Sequence, residues 1–282
     1  IATSASNITV LNNGAITTSG YNAYGIDSRS NSGTNTFTNS GTITTSGQYG
    51  HGMYSYNQAS GGIGTFTNSG TITTSADSSR GIYSNANSGT ITILNSGTIM
   101  TSGSSNNYGM QSSANSSTET LTNSGTITTS GANGYGIISS TNSGTNTILN
   151  SGTITTSGTN APGMYSSANS GTETFTNSGN ITASGQYGHG MYSYNQASGG
   201  TSPFTNSGAI TTSQAYSLGI YSSTNSGTST LTNSGTITTS GSSSRGISSN
   251  TNSGTKTILN SGTITTSGQY GYGIYLITNS GT

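Results

Sequence analysis

The chain contains no cysteine and no tryptophan, only two prolines, and only four basic and four acidic side chains among its 282 residues. The absence of cysteine excludes disulfide bonds and thiol chemistry. The four cations, Arg29, Arg80, Arg245 and Lys256, are scattered along the chain. Nucleic-acid binding depends on clustered Lys and Arg side chains, so we expect no nucleic-acid partner. No apolar run approaches the roughly 20 residues that cross a bilayer as a helix, so we expect no membrane span in this segment.

The low content of charged and apolar residues also excludes an ordinary domain with one compact core. Charged residues make up 3% of the chain and hydrophobic residues 27%, whereas a globular domain has about a quarter charged and nearly half apolar residues. Disordered chains are also poor in apolar residues, but they usually carry a high charge. A low-complexity tract and a regular repeat remain, and the order of the residues decides between them.

What the sequence does contain is a repeat of 27 to 29 residues that occurs ten times. Each copy begins with an asparagine, and a glycine always follows two positions later. We call these asparagines the Asn ladder: Asn12, Asn39, Asn68, Asn95, Asn123, Asn150, Asn177, Asn206, Asn233 and Asn260. Repeats of this length are typical of solenoid proteins, in which each unit stacks on the next.

Three apolar positions keep their place in every copy, which a disordered tract has no physical reason to do. The Ile ladder, four residues after each Asn, comprises Ile16, Ile43, Ile72, Ile99, Ile127, Ile154, Ile181, Ile210, Ile237 and Ile264. The Phe row, two residues before each Asn, comprises Val10, Phe37, Phe66, Ile93, Leu121, Ile148, Phe175, Phe204, Leu231 and Ile258. The Met row comprises Ile26, Met53, Ile82, Met110, Ile137, Met164, Met191, Ile220, Ile247 and Ile274. We expect these three rows to form a continuous core.

The local pattern around each row predicts a short β-strand. Polar and apolar residues alternate in Thr42-Ile43-Thr44 and over residues 34–38, and residues 52–55 form a third such segment. Gly, Asn and Ser between them favour turns. The sequence therefore predicts an all-β protein, a parallel β-helix (β-solenoid) of about ten coils with three short strands per coil, as a single domain over residues 1–282. Stacked amides of the Asn ladder should hydrogen-bond along the axis.

Tandem copies of NSGTITTSG, as at Asn150–Gly158, followed by a GIYSS segment, as within Asn206–Ser223, resemble the passenger regions of bacterial autotransporters. That resemblance covers the whole chain and implies a right-handed parallel β-helix at the bacterial cell surface or outside the cell. It also implies a structural or adhesive role. The passenger subfamilies that are enzymes carry a nucleophile motif, and none is evident in this sequence.

The sequence offers no pattern that indicates catalysis, a metal site or a bound cofactor. The four acids, Asp27, Asp77, Glu119 and Glu173, occur in different copies, and no spacing suggests the close carboxyl pair that acid–base chemistry needs. His51 and His189 belong to a duplicated segment and are expected to lie in solvent-exposed turns. No cluster of Cys, His or Asp resembles a set of metal ligands. We therefore expect a protein that is not an enzyme.

Two outward rows are candidate contact surfaces. A Thr-x-Thr array, as in Thr126 and Thr128, resembles the ice-binding face of β-solenoid ice-binding proteins, although Ala15, Met100, Asn180 and Ala209 interrupt it. Threonine also simply suits an exposed strand. The second row contains tyrosines that follow the Met row: Tyr54, Tyr83, Tyr165, Tyr192, Tyr221 and Tyr275. Exposed tyrosines often mark contact surfaces, here for surface glycans or a host receptor, but the rings could also stack only on one another.

These observations lead to two hypotheses about function. The first is a surface-exposed structural or adhesive stalk, with a variant in which copies of the chain stack end to end or side by side as filaments. The alternative is an ice-binding protein. Both ends of the sequence fall within a copy, so we expect either a segment of a longer protein or a unit that forms fibres.

Overall fold

A computed structural model describes residues 7–31, 33–58, 62–195, 200–224, 227–251 and 254–278. These residues form 26 β-strands and no helix. All strand pairs are parallel, and each strand pairs with its counterpart one repeat away. The predicted parallel β-solenoid is therefore confirmed. In the described part of the chain no helix is available that could span a membrane.

The first sheet contains one short strand from each repeat, centred on the Ile ladder. Its ten strands follow one another in chain order. They are β2 (Ala15–Thr18), β5 (Thr42–Thr45), β8 (Thr71–Thr74), β10 (Thr98–Thr101), β12 (Thr126–Thr129), β14 (Thr153–Thr156), β16 (Asn180–Ala183), β19 (Ala209–Thr212), β22 (Thr236–Thr239) and β25 (Thr263–Thr266). In β8 and β14, for example, the first and third residues are partly exposed and the second and fourth are buried, as the alternation predicts.

The second sheet has 16 strands and takes in the other two strand positions of each coil. Strands that contain the Met row are β3 (Ile26–Asn31), β6 (Met53–Gln58), β17 (Met191–Asn195), β20 (Leu218–Thr224), β23 (Arg245–Thr251) and β26 (Tyr272–Thr278). Strands that end on the Asn ladder are β1 (Ile8–Asn12), β4 (Thr34–Asn39), β7 (Gly62–Asn68), β18 (Gly200–Asn206), β21 (Gly227–Asn233) and β24 (Thr255–Asn260).

In four coils these two strand positions run together, which the prediction of three short strands did not anticipate. The long strands are β9 (Arg80–Asn95), β11 (Tyr108–Asn123), β13 (Ile137–Asn150) and β15 (Met164–Asn177). Glycines within three of them, such as Gly89 and Gly171, have φ of +150° and +157°, a conformation that side chains with a Cβ rarely adopt. Ladder hydrogen bonding thus continues from one strand position to the next in these four coils, and in β11 it does so with Ser117 at the position of Gly89.

Because the register is constant, each repeat position becomes a column along the rod. The Asn ladder is continuous: the Nδ2 of each Asn donates to the Oδ1 of the next over 2.7–2.8 Å, as from Asn123 to Asn150 and from Asn150 to Asn177. Each amide therefore ties two coils together inside the protein, where an unpaired amide would cost free energy.

The core lies between the two sheets and consists of the Phe row, the Ile ladder and the Met row. Most of these side chains are fully buried, whereas Val10, Ile16, Ile258 and Ile264, in the first and last coils, are only partly buried and Ile274 is exposed. Phe rings stack where they follow each other, with centroids 5.0 Å apart for Phe175 and Phe204. The core is thus a narrow apolar layer that runs the length of the rod.

Candidate binding surface

The tyrosines that follow the Met row lie on the outer face of the second sheet. Tyr165, Tyr192 and Tyr221 are in register in three successive coils. Their ring centroids are 5.3 Å and 4.8 Å apart, in stacked orientation. Tyr54 and Tyr83 pack on each other in a tilted orientation, with centroids 5.2 Å apart. The rings are half-buried because each covers its neighbour, so the column offers ring edges and hydroxyl groups to the exterior.

Three further tyrosines, which our sequence analysis missed, extend this column. They are Tyr24, Tyr108 and Tyr135, and each lies two residues before the Met row instead of one residue after it. Tyr272 has the same position in its repeat but packs on Tyr275, outside this column. Tyr24 packs on Tyr54 at 4.8 Å, and Tyr135 packs on both Tyr108 and Tyr165 at 5.1 Å. The two positions lie side by side on the same face, so either can supply the ring.

Arginine bridges the column where no ring is available. The guanidinium of Arg80 lies 5.1 Å from the ring centroid of Tyr83 and 5.2 Å from that of Tyr108. Cations over aromatic faces are attracted by the ring quadrupole. Together these contacts form one unbroken stack from Tyr24 to Tyr221, which we call the aromatic column. Tyr275 lies apart from it, with Arg245 over its ring at 3.7 Å.

Three phenols of the aromatic column, those of Tyr54, Tyr135 and Tyr192, remain protonated in the physiological range. Burial raises the pKa of Tyr54 and of Tyr135 to about 12, and it raises the pKa of Tyr192 as well. Neutral hydroxyl groups donate and accept hydrogen bonds. The surface is therefore aromatic, uncharged over most of its length, and rich in hydroxyl groups.

A second column runs beside the first, along the turn that precedes the Met row. One residue per coil has a positive φ between 51° and 59°. Asn and Ser occupy six of these positions, but tyrosine occupies four: Tyr49, Tyr187, Tyr216 and Tyr270. Bulky residues are rare outliers in this conformation. Tyr187 and Tyr216 stack with centroids 5.1 Å apart, so these strained positions also present aromatic rings.

Between the two columns, over Pro162, lies an open pocket of about 280 Å³. Tyr135 and His189 line it from the coils before and after, and Asn133 and Asn160 line it from the turns. The pocket exists because the short side chain of Pro162 occupies a position at which Tyr135 and His189, in the adjacent coils, carry rings.

The prediction that the two histidines lie in solvent-exposed turns is wrong for His51, which is 4% exposed, while His189 is partly buried. The Nδ1 of His51 accepts the backbone N–H of Arg80 over 3.1 Å, and the Nδ1 of His189 accepts that of Leu218 over 3.0 Å. His51 stacks on Tyr24, and His189 on Tyr192. Burial lowers the pKa of His51 to about 3 and that of His189 to about 4, so both rings are neutral near pH 7.

Inside the coil, opposite the apolar core, lies a group of polar side chains that the sequence analysis did not anticipate. One inward serine per coil, two residues after the Met row, faces a second inward position, four residues before the Asn ladder. We call these residues the polar seam: Ser28, Ser55, Ser84, Ser112, Ser139, Ser166, Ser193, Ser222 and Ser249, with Asn35, Glu119, Asn146, Glu173, Ser202, Ser229 and Lys256.

Two of the four acids belong to this seam, in the same row and two coils apart, with Asn146 between them. The Oγ atoms of Ser139 and Ser193 donate to Glu119 and Glu173, respectively, over 2.7 Å. Burial raises the pKa of Glu173 above its usual range. The carboxyl groups are thus separated and enclosed. The other two acids are outside: Asp27 pairs with Arg29, and Asp77 accepts hydrogen bonds from Ser104.

The Thr-x-Thr array lies on the opposite face, along the first sheet. Its residues are exposed or partly exposed, as for Thr126 and Thr128, and Met100 is 40% exposed where it interrupts the array. The described residues contain no group of three His, Asp or Glu side chains placed as metal ligands.

Comparison with known proteins supports the fold that the geometry shows. A model of the BigA third pectate lyase-like domain, from a bacterial surface protein, matches residues 1–117 and 112–282. No curated protein and no solved structure matches the chain. Since the two matched stretches together span the whole chain, this protein belongs to the family of the BigA third pectate lyase-like domain.

Proposed function

We propose that the chain is a rod-like segment of a bacterial cell-surface protein and that it mediates adhesion through its aromatic column. The observation that carries this proposal is the unbroken stack of rings and Arg80 along the outer face from Tyr24 to Tyr221. Aromatic and Arg side chains are enriched at interfaces and depleted on inert surfaces. The proposed location at the cell surface is supported by the family to which the chain belongs. We further propose that the chain is exported as the passenger of an autotransporter.

The arrangement of the acids favours a binding role over catalysis. Glu119 and Glu173 lie inside the coil, away from any substrate, and Asp27 and Asp77 are exposed residues engaged with Arg29 and Ser104. A catalytic carboxyl pair needs two groups facing one accessible position. In the family's description, the words pectate lyase-like refer to the fold.

Cell adhesion of the displayed chain tests the proposal. The chain is displayed on a non-adherent bacterium, and attachment to host cells and to their extracellular matrix is counted. Replacing Tyr165, Tyr192 and Tyr221 together by serine should reduce attachment at least tenfold, because three adjacent rings of the column are lost. Circular dichroism of the purified chain reports whether the β-structure is retained.

A matched control removes three methyl groups from the opposite face in the same region. Thr155, Thr182 and Thr211 become serine, which leaves the aromatic column intact, and attachment should equal that of the unchanged chain. If the tyrosine variant also attaches normally while it remains folded, the aromatic column is not the adhesive surface.

Ice binding is the second candidate, favoured by the regular outward threonines on the ten-stranded sheet. Thermal hysteresis of the purified chain measures it directly. If the unchanged chain shows thermal hysteresis and Thr155→Tyr, in the middle of the array, does not, ice binding would be the function instead of adhesion. An absence of hysteresis and of ice shaping at millimolar concentration would eliminate this candidate.

A further inference from the structure

The chain contains a second place equivalent to the pocket over Pro162, and there a tyrosine ring fills the space. The segment GQYGHGMYSYNQASGG occurs at 47–62 and again at 185–200. The coil before the first copy reads YNAYGI at 21–26, and the coil before the second reads TNAPGM at 159–164. Tyr24 in the first therefore corresponds to Pro162 in the second. The ring of Tyr24 lies against His51 at 5.2 Å, whereas the space before His189 is open.

The walls of the pocket are aromatic and carry no formal charge. Tyr135, Tyr165, Tyr187 and Tyr192 provide the rings. Burial raises the pKa of the phenols of Tyr135, Tyr165 and Tyr192 and lowers the pKa of His189 to about 4, so these groups are uncharged at physiological pH. A phosphate or carboxylate bound here would lose its hydration without gaining a cationic partner. The lining therefore favours an uncharged ligand with apolar faces.

Polar groups at the rim of the pocket can form hydrogen bonds with the hydroxyl groups of a ligand. The side-chain amides of Asn133 and Asn160 each offer N–H donors and a carbonyl acceptor. Since Nδ1 of His189 accepts the N–H of Leu218, the proton of the neutral ring lies on Nε2, which is then a donor. A few polar groups set among aromatic walls are typical of small-molecule sites.

One rim residue is held in an unfavourable conformation. Tyr187 has φ 56°, whereas the corresponding residues in the two preceding coils are Asn133 and Asn160, a residue type that tolerates positive φ. Tyr187 is 41% exposed. A positive φ occurs at this position in every coil, and in this coil it places an aromatic ring at the rim of the pocket.

We propose that the pocket over Pro162 binds one uncharged pyranose residue of a surface glycan. The C–H face of the sugar packs on a tyrosine ring, and its hydroxyl groups bond to the amides of Asn133 and Asn160 and to the Nε2–H of His189. This inference rests on the proposed adhesive function and names the ligand class of the same surface. The volume of about 280 Å³ is small for a ligand site, which limits occupancy to one sugar ring.

Filling the pocket is the sharpest test. Pro162→Tyr copies the natural arrangement of Tyr24 against His51, so it should fold with an unchanged Tm. Binding is measured by titration calorimetry and saturation-transfer NMR of the full chain with neutral tetrasaccharides of glucose, mannose and galactose, and with tetragalacturonate as the charged comparison. At least one neutral tetrasaccharide should bind the unchanged chain, and Pro162→Tyr should weaken that binding at least tenfold.

A second variant removes one rim amide without strain. Asn160→Gly keeps the positive φ, which glycine adopts readily, and should weaken sugar binding three- to tenfold. Asn106→Gly makes the same change at φ 55° two coils away, outside the pocket, and should leave binding unchanged. If both glycine variants behave alike, the amide of Asn160 does not contact the sugar and the proposed site is wrong.

The outcomes separate this inference from the proposed function. If no neutral tetrasaccharide binds, if only tetragalacturonate binds, or if Pro162→Tyr binds as tightly as the unchanged chain, the sugar site is overturned. Adhesion that persists in such a chain and depends on Tyr165, Tyr192 and Tyr221 leaves the proposed function intact. Sugar binding at the pocket without cell adhesion contradicts the proposed function and supports the site.

Discussion

The inside of the solenoid has two halves that follow the same stacking rule with opposite chemistry. In the apolar half, Phe, Ile, Leu and Met replace one another along a row without loss of burial. In the polar seam, each hydroxyl or carboxyl group needs its own partner, and the Oγ atoms of Ser84 and Ser112 are buried with none in the described structure. The hydrophobic effect is non-directional, whereas buried polar groups are costly unless paired. The apolar half therefore supplies stability, and the polar seam consumes part of it.

The largest expected effect comes from placing a charge in the apolar half. Ile127 is fully buried in the middle of the Ile ladder. We predict that Ile127→Asp lowers the free energy of unfolding by about 4 kcal/mol or more, because it removes apolar burial and encloses a carboxyl group without a partner. Thermal unfolding followed by circular dichroism measures the loss as a fall in Tm.

The control for this prediction is the adjacent residue on the same strand. Thr126 faces outward and is exposed, so Thr126→Asp should change the free energy of unfolding by no more than about 0.5 kcal/mol. Equal tolerance of the two aspartates would mean that the assignment of inside and outside on β12 is incorrect.

The Asn ladder borders the apolar half and should show the next largest effect. Asn150 accepts from Asn123 and donates to Asn177, both over 2.8 Å. Asn150→Ala leaves two buried amide groups without their partner, and we expect a loss of about 2–3 kcal/mol. Ser151→Ala, one residue further on the exposed turn, is the control, and urea unfolding compares the two. Equal midpoints for both variants would show that the amide stack contributes nothing.

The fold and the apolar half could be predicted from the sequence because both depend on period and phase. Alternation around Ile43 and Phe37, repeated at 27–29 residues, is sufficient to define strands, an inward face and a stack. Nothing in that pattern showed that strands such as β9 and β11 continue from one strand position to the next, since β9 has Gly89 and β11 has Ser117 at the same place and the sequence does not distinguish them from coils with two separate strands.

The polar seam was missed although the same alternation contains it. Glu119 lies two residues before Leu121, and Glu173 two residues before Phe175, so a period of two places both acids inside. The general preference of carboxylates for solvent masked that signal. The aromatic column was found only in part. In two coils the ring comes from Tyr108 and Tyr135, two residues before the Met row, instead of from the position after it. The two positions are adjacent in the fold but not in the sequence.

The third prediction is that replacing a charged side chain of the polar seam stabilises the protein, whereas the first two replacements destabilise it. Lys256 is mostly buried, its ammonium group donates to the hydroxyls of Ser222 and Ser229, and burial lowers its pKa to about 7. Lys256→Met should stabilise the protein by about 1–2 kcal/mol below pH 7, since apolar replacement of a buried charge is often favourable. The unfolded chain binds more protons between pH 7 and about 10.5, so the gain should shrink over that range. A lower Tm for Lys256→Met at pH 6 would show that the ammonium group stabilises the seam.

The smallest effect is a change in how stability depends on pH. Burial raises the pKa of Glu173, against the opposing hydrogen bonds of Ser166, Ser193 and Ser202. A carboxyl group whose pKa is higher in the folded state favours folding below its unfolded pKa of about 4.5, and this contribution is lost as pH rises through the folded pKa. We therefore expect Glu173→Gln to match the unchanged chain at pH 4 and to exceed its Tm increasingly from pH 5 to 8.

The converse variant adds a carboxyl group to the same row in the preceding coil. Asn146 is buried and pairs in register with Glu119 on one side and with Glu173 on the other. Asn146→Asp should therefore lose more stability than the unchanged chain as pH rises, because three adjacent carboxyl groups would then have to ionise in a buried site. Tm is measured across pH 4–8 for both variants. Relative to the unchanged chain, the Tm of Glu173→Gln should rise with pH and that of Asn146→Asp should fall. If the curves of Tm against pH are parallel for the variants and the unchanged chain, water reaches this part of the seam. The polar seam and the apolar half would then differ in composition but not in burial.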